Sequence, residues 1–136
     1  MGGKIMRVIV VPKNQLRNII FDKKYIIIST TTDETPAVVN IPEENVIRFR
    51  FEDIDRGANG RVFNKDEALA IKKFIQGHLE DTEMIVCSCD AGMSRSPAMA
   101  AAISYWLNGS DKEIWDNHMY RPNSHVYNTL LYTLMD

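Results

Sequence analysis

Cysteine is scarce in this chain. Only Cys87 and Cys89 occur among 136 residues, two positions apart. That excludes a disulfide framework and fits a reducing compartment. A metal centre needs more ligands than this pair, and His78, His118 and His125 show no matching spacing. Seven glycines and five prolines are too few for a fibrous or low-complexity chain. No apolar run approaches the roughly 18 residues of a membrane helix. No stretch joins a basic head, an apolar middle and a small-residue cleavage site. The opening Met1-Gly2-Gly3-Lys4-Ile5-Met6 has Met6 where N-myristoylation requires Ser or Thr. Charge of one sign is also missing: the formal net charge is −2, which gives no general reason to expect nucleic acid or an anionic membrane as partner. Repeats and linkers are absent too. The expectation is one soluble, cytoplasmic globular domain spanning 1–136, with no metal and no cofactor.

What is present alternates between strand and helix. Ile5–Val11 is apolar and β-branched and reads as a first strand. Pro12-Lys13-Asn14 breaks it and opens a short helix through Ile20. Tyr25–Ser29 is apolar throughout, as in the buried middle of a parallel sheet. The polar stretch Thr30–Pro36 reads as an exposed loop, with a wall of a substrate cleft as the alternative. A turn at Ile41–Asn45 leads to an alternating strand, Val46–Phe51. A long amphipathic helix follows from about Lys65 to Leu79, with Asn64 as N-cap and Ala68, Leu69, Ile71, Lys72 and Ile75 straddling its buried stripe. Met84–Ser88 is the next strand. The helix Ser94–Leu107 is apolar on most sides, carries Pro97 in its first turn and ends at Asn108-Gly109. Ser110 and Glu113 form a capping-box pattern for a helix to about His118. A break at Arg121-Pro122-Asn123 precedes a last helix, Ser124–Met135. The fold class is therefore α/β, with a central, mostly parallel sheet of four to five strands flanked by helices.

The chemistry concentrates between the fourth strand and the apolar helix. Cys89 ends the strand, Asp90, Ala91, Gly92, Met93 and Ser94 form a loop, and Arg95 and Ser96 open the helix. In such a loop successive backbone N–H groups can turn inward, and the helix N-terminus adds partial positive charge. A phosphate-sized anion would fit there, gripped by the planar fork of Arg95. The same field favours the thiolate of Cys89, the nucleophilic form. The plainer alternative makes Cys89 a small buried hydrophobe and Arg95 a surface residue at a helix start. Ligands of open α/β sheets gather beyond the carboxyl ends of strands, where Cys89 falls.

The pattern Cys-x5-Arg-Ser, with an apolar strand before it, Gly92 inside it and a helix after it, resembles the signature loop of the protein tyrosine phosphatase superfamily, and most nearly its small dual-specificity-like members. The resemblance covers about Val46 to the C-terminus. It implies a cysteine-dependent phosphomonoester hydrolase, with Cys89 as nucleophile, Arg95 as phosphate grip and Ser96 as hydrogen-bond donor to the sulfur. It also implies a general acid on an upstream loop. Asp53, directly after the Val46–Phe51 strand, is the favoured candidate, and Asp55 the second. Arg121-Pro122-Asn123 is similar to a shortened form of a family segment in which Asn123 would brace the loops around the site; the alternative is a role at the helix start. Cys87 reads as core packing, with capture of oxidised Cys89 as the lesser alternative. Ser88 departs from the family, which usually has His there.

Asp90 and Met93 stand where the resembled phosphoinositide enzymes carry lysines, and an acidic Asp90 would repel additional phosphates. The expected substrate is a phosphorylated protein side chain, most plausibly phosphotyrosine, or a small phosphomonoester. A catalytically silent phosphate- or phosphoprotein-binding module and a sulfur- or arsenate-handling enzyme are the other classes left open.

Overall fold

The computed structural model describes residues 5–32, 35–54 and 62–136. Its four strands are β1 (Arg7–Pro12), β2 (Tyr25–Thr31), β3 (Val46–Arg50) and β4 (Met84–Cys89). They form one all-parallel sheet in the order β1-β4-β2-β3. The helices are α1 (Lys65–His78), α2 (Arg95–Asn108), the single turn α3 (Lys112–Trp115) and α4 (Ser124–Met135). The α/β class and the strand count expected from the sequence are both met.

Position in the sheet follows from residue pattern. β2 and β4 are inner strands and every residue in them is buried, as two-faced burial in a parallel sheet demands. The alternating strand β3 and the proline-terminated β1 lie at the edges, where one missing N–H disturbs no inner ladder. On one face Ile26 and Ile28 of β2 and Ile85 and Cys87 of β4 pack with Ile71 and Ile75 of α1, Ala98–Ile103 of α2, and Val126, Leu130 and Leu134 of α4. The opposite face is covered differently. Leu16, in a 3-10 turn over Lys13–Asn18, and Ala37, with Val39 and Ile41 beside it, close over Tyr25, Ile27, Met84 and Val86. The helices that flank the sheet thus gather on one side, and extended chain covers the other.

Local signals explain most boundaries. Asn64 accepts from the Glu67 N–H at 2.9 Å while the Glu67 carboxylate accepts from the Asn64 N–H at 3.1 Å, a complete capping box at the start of α1. Gly109 takes the left-handed conformation (φ 78°) that ends α2. The Asn108 amide then pairs both ways with the Met6 backbone, at 2.8 and 2.9 Å, fastening the end of α2 to the chain entering β1.

Three expectations are corrected. The stretch beginning at Thr30 is not all loop: Thr30 and Thr31 complete β2 and are buried. The helix expected from Ser110 to His118 is only Lys112–Trp115, with Asp111 at its N-cap; Ser110 Oγ merely accepts from the Lys112 N–H at 3.3 Å. Asp111 has a different task, accepting from Trp115 Nε1 at 2.9 Å and from the Tyr127 hydroxyl at 2.6 Å to tie α3 to α4. Lastly, Leu69 does not join the buried stripe of α1 and remains exposed.

Candidate active site

Cys89 is the last residue of β4, level with Pro12 of β1 in the sheet register. Burial leaves its side chain only 2% exposed. The sulfur accepts from the Gly92 N–H at 3.3 Å and the Ser96 N–H at 3.4 Å and shares a hydrogen bond with Ser96 Oγ at 3.0 Å. A loop that leaves β4 and turns amides back to the sulfur is what five residues between strand end and first helical turn permit. Ser96 is fully buried and spends its hydroxyl on the sulfur.

The turn at Gly92 is where backbone freedom matters. Gly92 has φ 70°, and a Cβ there would lie 3.2 Å from the Pro12 nitrogen and 3.3 Å from its Cα. Gly92→Ala is expected to cost about 1–2 kcal/mol from the left-handed conformation alone, with further displacement of the amide that faces Cys89. Thermal unfolding checks the stability loss, and a drop in turnover larger than the drop in folded fraction checks the displaced amide.

Arg95 is buried too, at 5% exposure, and its guanidinium is held on one end. Nη1 donates to Thr32 Oγ1 at 2.9 Å and to the Phe51 carbonyl at 2.8 Å, and Nη2 donates to Asp90 Oδ2 at 3.0 Å. Nε has no partner among the described residues although it is buried. The Nε–H and Nη2 side of a guanidinium fork is suited to two oxygens of a tetrahedral anion. Asp90 Oδ2 also accepts from the Thr32 N–H at 3.1 Å. Burial pushes the Asp90 carboxyl up, but the hydrogen bonds from Arg95 and Thr32 outweigh it and hold it below the usual carboxylate range.

The upstream loop reaches the same place. Asp53 Oδ1 accepts from Ser94 Oγ at 2.8 Å and from Asn123 Nδ2 at 2.9 Å, while Asn123 Nδ2 also donates to the Ile54 carbonyl at 3.1 Å. Asn123 Oδ1 accepts from the Val126 N–H at 3.0 Å, so the two roles weighed for Asn123, loop brace and helix N-cap, coexist in one side chain. Backbone bonds from Arg121 N–H to the Met93 carbonyl (2.7 Å) and from Asn123 N–H to the Ser94 carbonyl (3.1 Å) join the Arg121–Asn123 segment to the loop. Asp55, the second acid candidate, lies outside the described residues.

Gly92 and Ser96 thus contact the Cys89 sulfur, Asp90 pairs with Arg95 and Asp53 pairs with Ser94 of the same loop, while Ala91 and Met93 are exposed. Thr32 and Phe51 were missed as partners of the arginine. For Thr32 the signal was its place just past an inner strand end, the cleft-wall alternative considered for that stretch. The Phe51 carbonyl carries no side-chain signal at all. Ser88, on the opposite face from Cys89, is fully buried and its hydroxyl has no partner among the described residues. Cys87 packs in the core, and burial, then the neighbouring Cys89, pushes its thiol up, which suits packing rather than reactivity. A surface cavity of about 740 Å3 lies at the far end of the sheet among Phe21, Lys23, Lys24, Asn40 and His78, away from this chemistry.

Solved structures share this fold. The chain superposes on Tk-PTP in its active form with a TM-score of 0.60 at 15% identity, covering 95% of this chain and 92% of that one. PTPMT1 in complex with PI(5)P gives a TM-score of 0.58 at 18% identity, covering 95% and 90%. A human tyrosine phosphatase-like serine/threonine/tyrosine-interacting protein gives 0.55 at 18% identity, covering 81% and 75%. At these identities the likeness is one of fold: the chain shares the fold of these phosphatase and phosphatase-like structures. No protein-family model matches the sequence, and no curated protein does.

Proposed function

We propose that this chain is a cysteine-dependent phosphomonoester hydrolase of the tyrosine or dual-specificity phosphatase type, working through a phosphocysteine intermediate. The observation that carries this reading is the set of three hydrogen-bond partners around Cys89 Sγ, together with a buried Arg95 whose Nε has no partner among the described residues. In the first step the thiolate attacks phosphorus, a sulfur–phosphorus bond forms and the ester oxygen leaves with a proton from the Asp53 carboxyl. In the second, water attacks the phosphocysteine and gives its proton back to the Asp53 carboxylate. The sulfur leaves as thiolate, stabilised by the Ser96 hydroxyl. Met84–Cys89, the loop and α2 supply the nucleophile and the phosphate cradle on rigid elements, which is what positioning by a scaffold requires.

The substrate class proposed is a phosphorylated protein side chain, phosphotyrosine first, or a small phosphomonoester. A cytoplasmic setting is proposed with it, supported by the two free thiols; no described helix is long and apolar enough to cross a membrane. The second reading is a phosphate- or phosphoprotein-binding module with weak turnover. Its support is the likeness to the human interacting protein and the arginine that is already paired with Asp90.

Hydrolysis of para-nitrophenyl phosphate under reducing conditions separates the two. Steady turnover with acid-quenchable phosphoenzyme supports the hydrolase; a folded chain that binds phosphate without turnover supports the module. The acid is tested by Asp53→Asn, which can keep the bonds from Ser94 and Asn123 but has no proton to give. Turnover is expected to fall about 100-fold for alkyl phosphates and much less for para-nitrophenyl phosphate, whose leaving group needs little protonation. Equal losses across a leaving-group series would remove Asp53 from this role.

A further inference from the structure

We infer that Asp90 is a specificity-determining residue, the internal counter-ion of Arg95 that limits the site to a single phosphoryl group and keeps its affinity for free phosphate low. The inference deepens the proposed function and rests on its placing of the phosphate at the Arg95 edge beside Cys89. Arg95 has five N–H donors. Two on Nη1 are taken by Thr32 Oγ1 and the Phe51 carbonyl, and one on Nη2 by Asp90. The charge of the guanidinium is therefore already matched by a carboxylate 3.0 Å away before any anion arrives. A buried cation without such a partner would be costly to hold ready.

An incoming phosphate meets a neutral ion pair, not a free cation, and its attraction comes from the remaining fork edge and the loop amides. One phosphoryl group can use these. A second phosphoryl group on the same ligand gains nothing from Arg95 and stands near the Asp90 carboxylate, whose side chain is 36% exposed at the rim of the loop. Asp90 is not free to swing away, because the Thr32 N–H holds the same oxygen at 3.1 Å and Arg50 Nε holds the Thr32 carbonyl at 3.3 Å. The carboxyl is kept below its usual range, so it remains charged under assay conditions. This sets the chain apart in expectation from the solved PTPMT1 bound to PI(5)P.

Binding of inorganic phosphate and of pyrophosphate to wild type and Asp90→Asn, read by calorimetry, tests this without relying on turnover. The wild type should bind pyrophosphate no more than about threefold more tightly than phosphate. D90N, in which the amide oxygen can still accept from Arg95 and Thr32, should bind phosphate about tenfold more tightly, the order expected of one unit charge a few ångströms away, and pyrophosphate more tightly still. Unchanged or weaker phosphate binding by folded D90N overturns the inference and leaves Asp90 as a mere support for Arg95. Should D90N fail to fold, the wild type alone decides, since a preference for pyrophosphate beyond about tenfold is the overturning result. A wild type with the expected ratio but no hydrolysis of para-nitrophenyl phosphate sinks the hydrolase reading and leaves this one standing. Normal hydrolysis with no gain in D90N sinks only this one, and a wild type that binds neither anion sinks both.

Discussion

Cys89→Ser is expected to lower hydrolysis of para-nitrophenyl phosphate near pH 6 by about 10,000-fold or more, the scale on which removal of a nucleophile acts in covalent catalysis. The protein should still fold and still bind phosphate. Sulfur and hydroxyl are close in size, and Cys89 lies at the end of a strand whose other residues are packed independently of it. A serine hydroxyl can keep the company of Ser96 Oγ and the Gly92 and Ser96 amides, but it does not ionise at this pH and so presents no anionic nucleophile. The expected pattern is lost turnover with phosphate affinity held within a few-fold. Retained turnover in the variant would mean that another group attacks phosphorus, and the two-step scheme would be abandoned. Lost phosphate binding together with lost folding would instead mark Cys89 as a packing residue.

Arg95→Lys should be nearly as damaging, although it conserves charge. The guanidinium makes bonds in three directions at once: to Thr32 Oγ1, to the Phe51 carbonyl and to Asp90. It does so while its Nε has no partner among the described residues. An ammonium is a single point with three donors and cannot span β2, the chain after β3 and the signature loop while also gripping two oxygens. The Phe51 carbonyl and Thr32 hydroxyl would lose their donor, and Asp90 would keep its charge with weaker compensation. Losing one preorganised transition-state donor costs about 100- to 1000-fold, and here at least two are lost, so kcat/KM should fall by about 1000-fold or more. Stability should fall as well, because a buried hydrogen-bonded carbonyl left unpaired costs about 1–3 kcal/mol. Kinetics and thermal unfolding measured together check this. A variant that retains more than a tenth of wild-type activity would show that Arg95 serves the fold and not the phosphate.

Much of the framework was legible because its causes are local. Apolar runs with β-branched residues mark β2 and β4 as inner strands, and Asn64 with Glu67, Pro97 and Gly109 mark helix ends through their own backbone bonds or conformations. The third helix misled because Ser110 and Glu113 carry a capping pattern, whereas Asp111 is drawn instead into a bond network with Trp115 and Tyr127 that depends on α4 lying alongside. Thr30 and Thr31 look like loop residues by polarity. They are strand residues because the sheet continues past the level of Cys89, pairing Thr30 with Phe49 and Thr31 with Arg50.

For the candidate site, the sequence by itself determined the unit contained in one continuous segment: a cysteine at a strand end, a loop with a glycine at its turn, an arginine and a serine in the first helical turn. Those residues are neighbours along the chain, so strand, loop and helix geometry nearly suffices to bring Ser96 and Gly92 to the sulfur. Only the tertiary structure decided what surrounds that unit. Thr32 follows β2, Phe51 follows β3, Pro12 ends β1 and Asn123 caps the start of α4, and each is brought in by sheet order and helix packing. Asp90 is the clearest case. Its charge is evident in the sequence, yet which cation it faces is fixed by a salt bridge across the loop and an N–H from the residue that follows β2. Electrostatics of a buried pair depends on distance and burial, and neither is written in residue order.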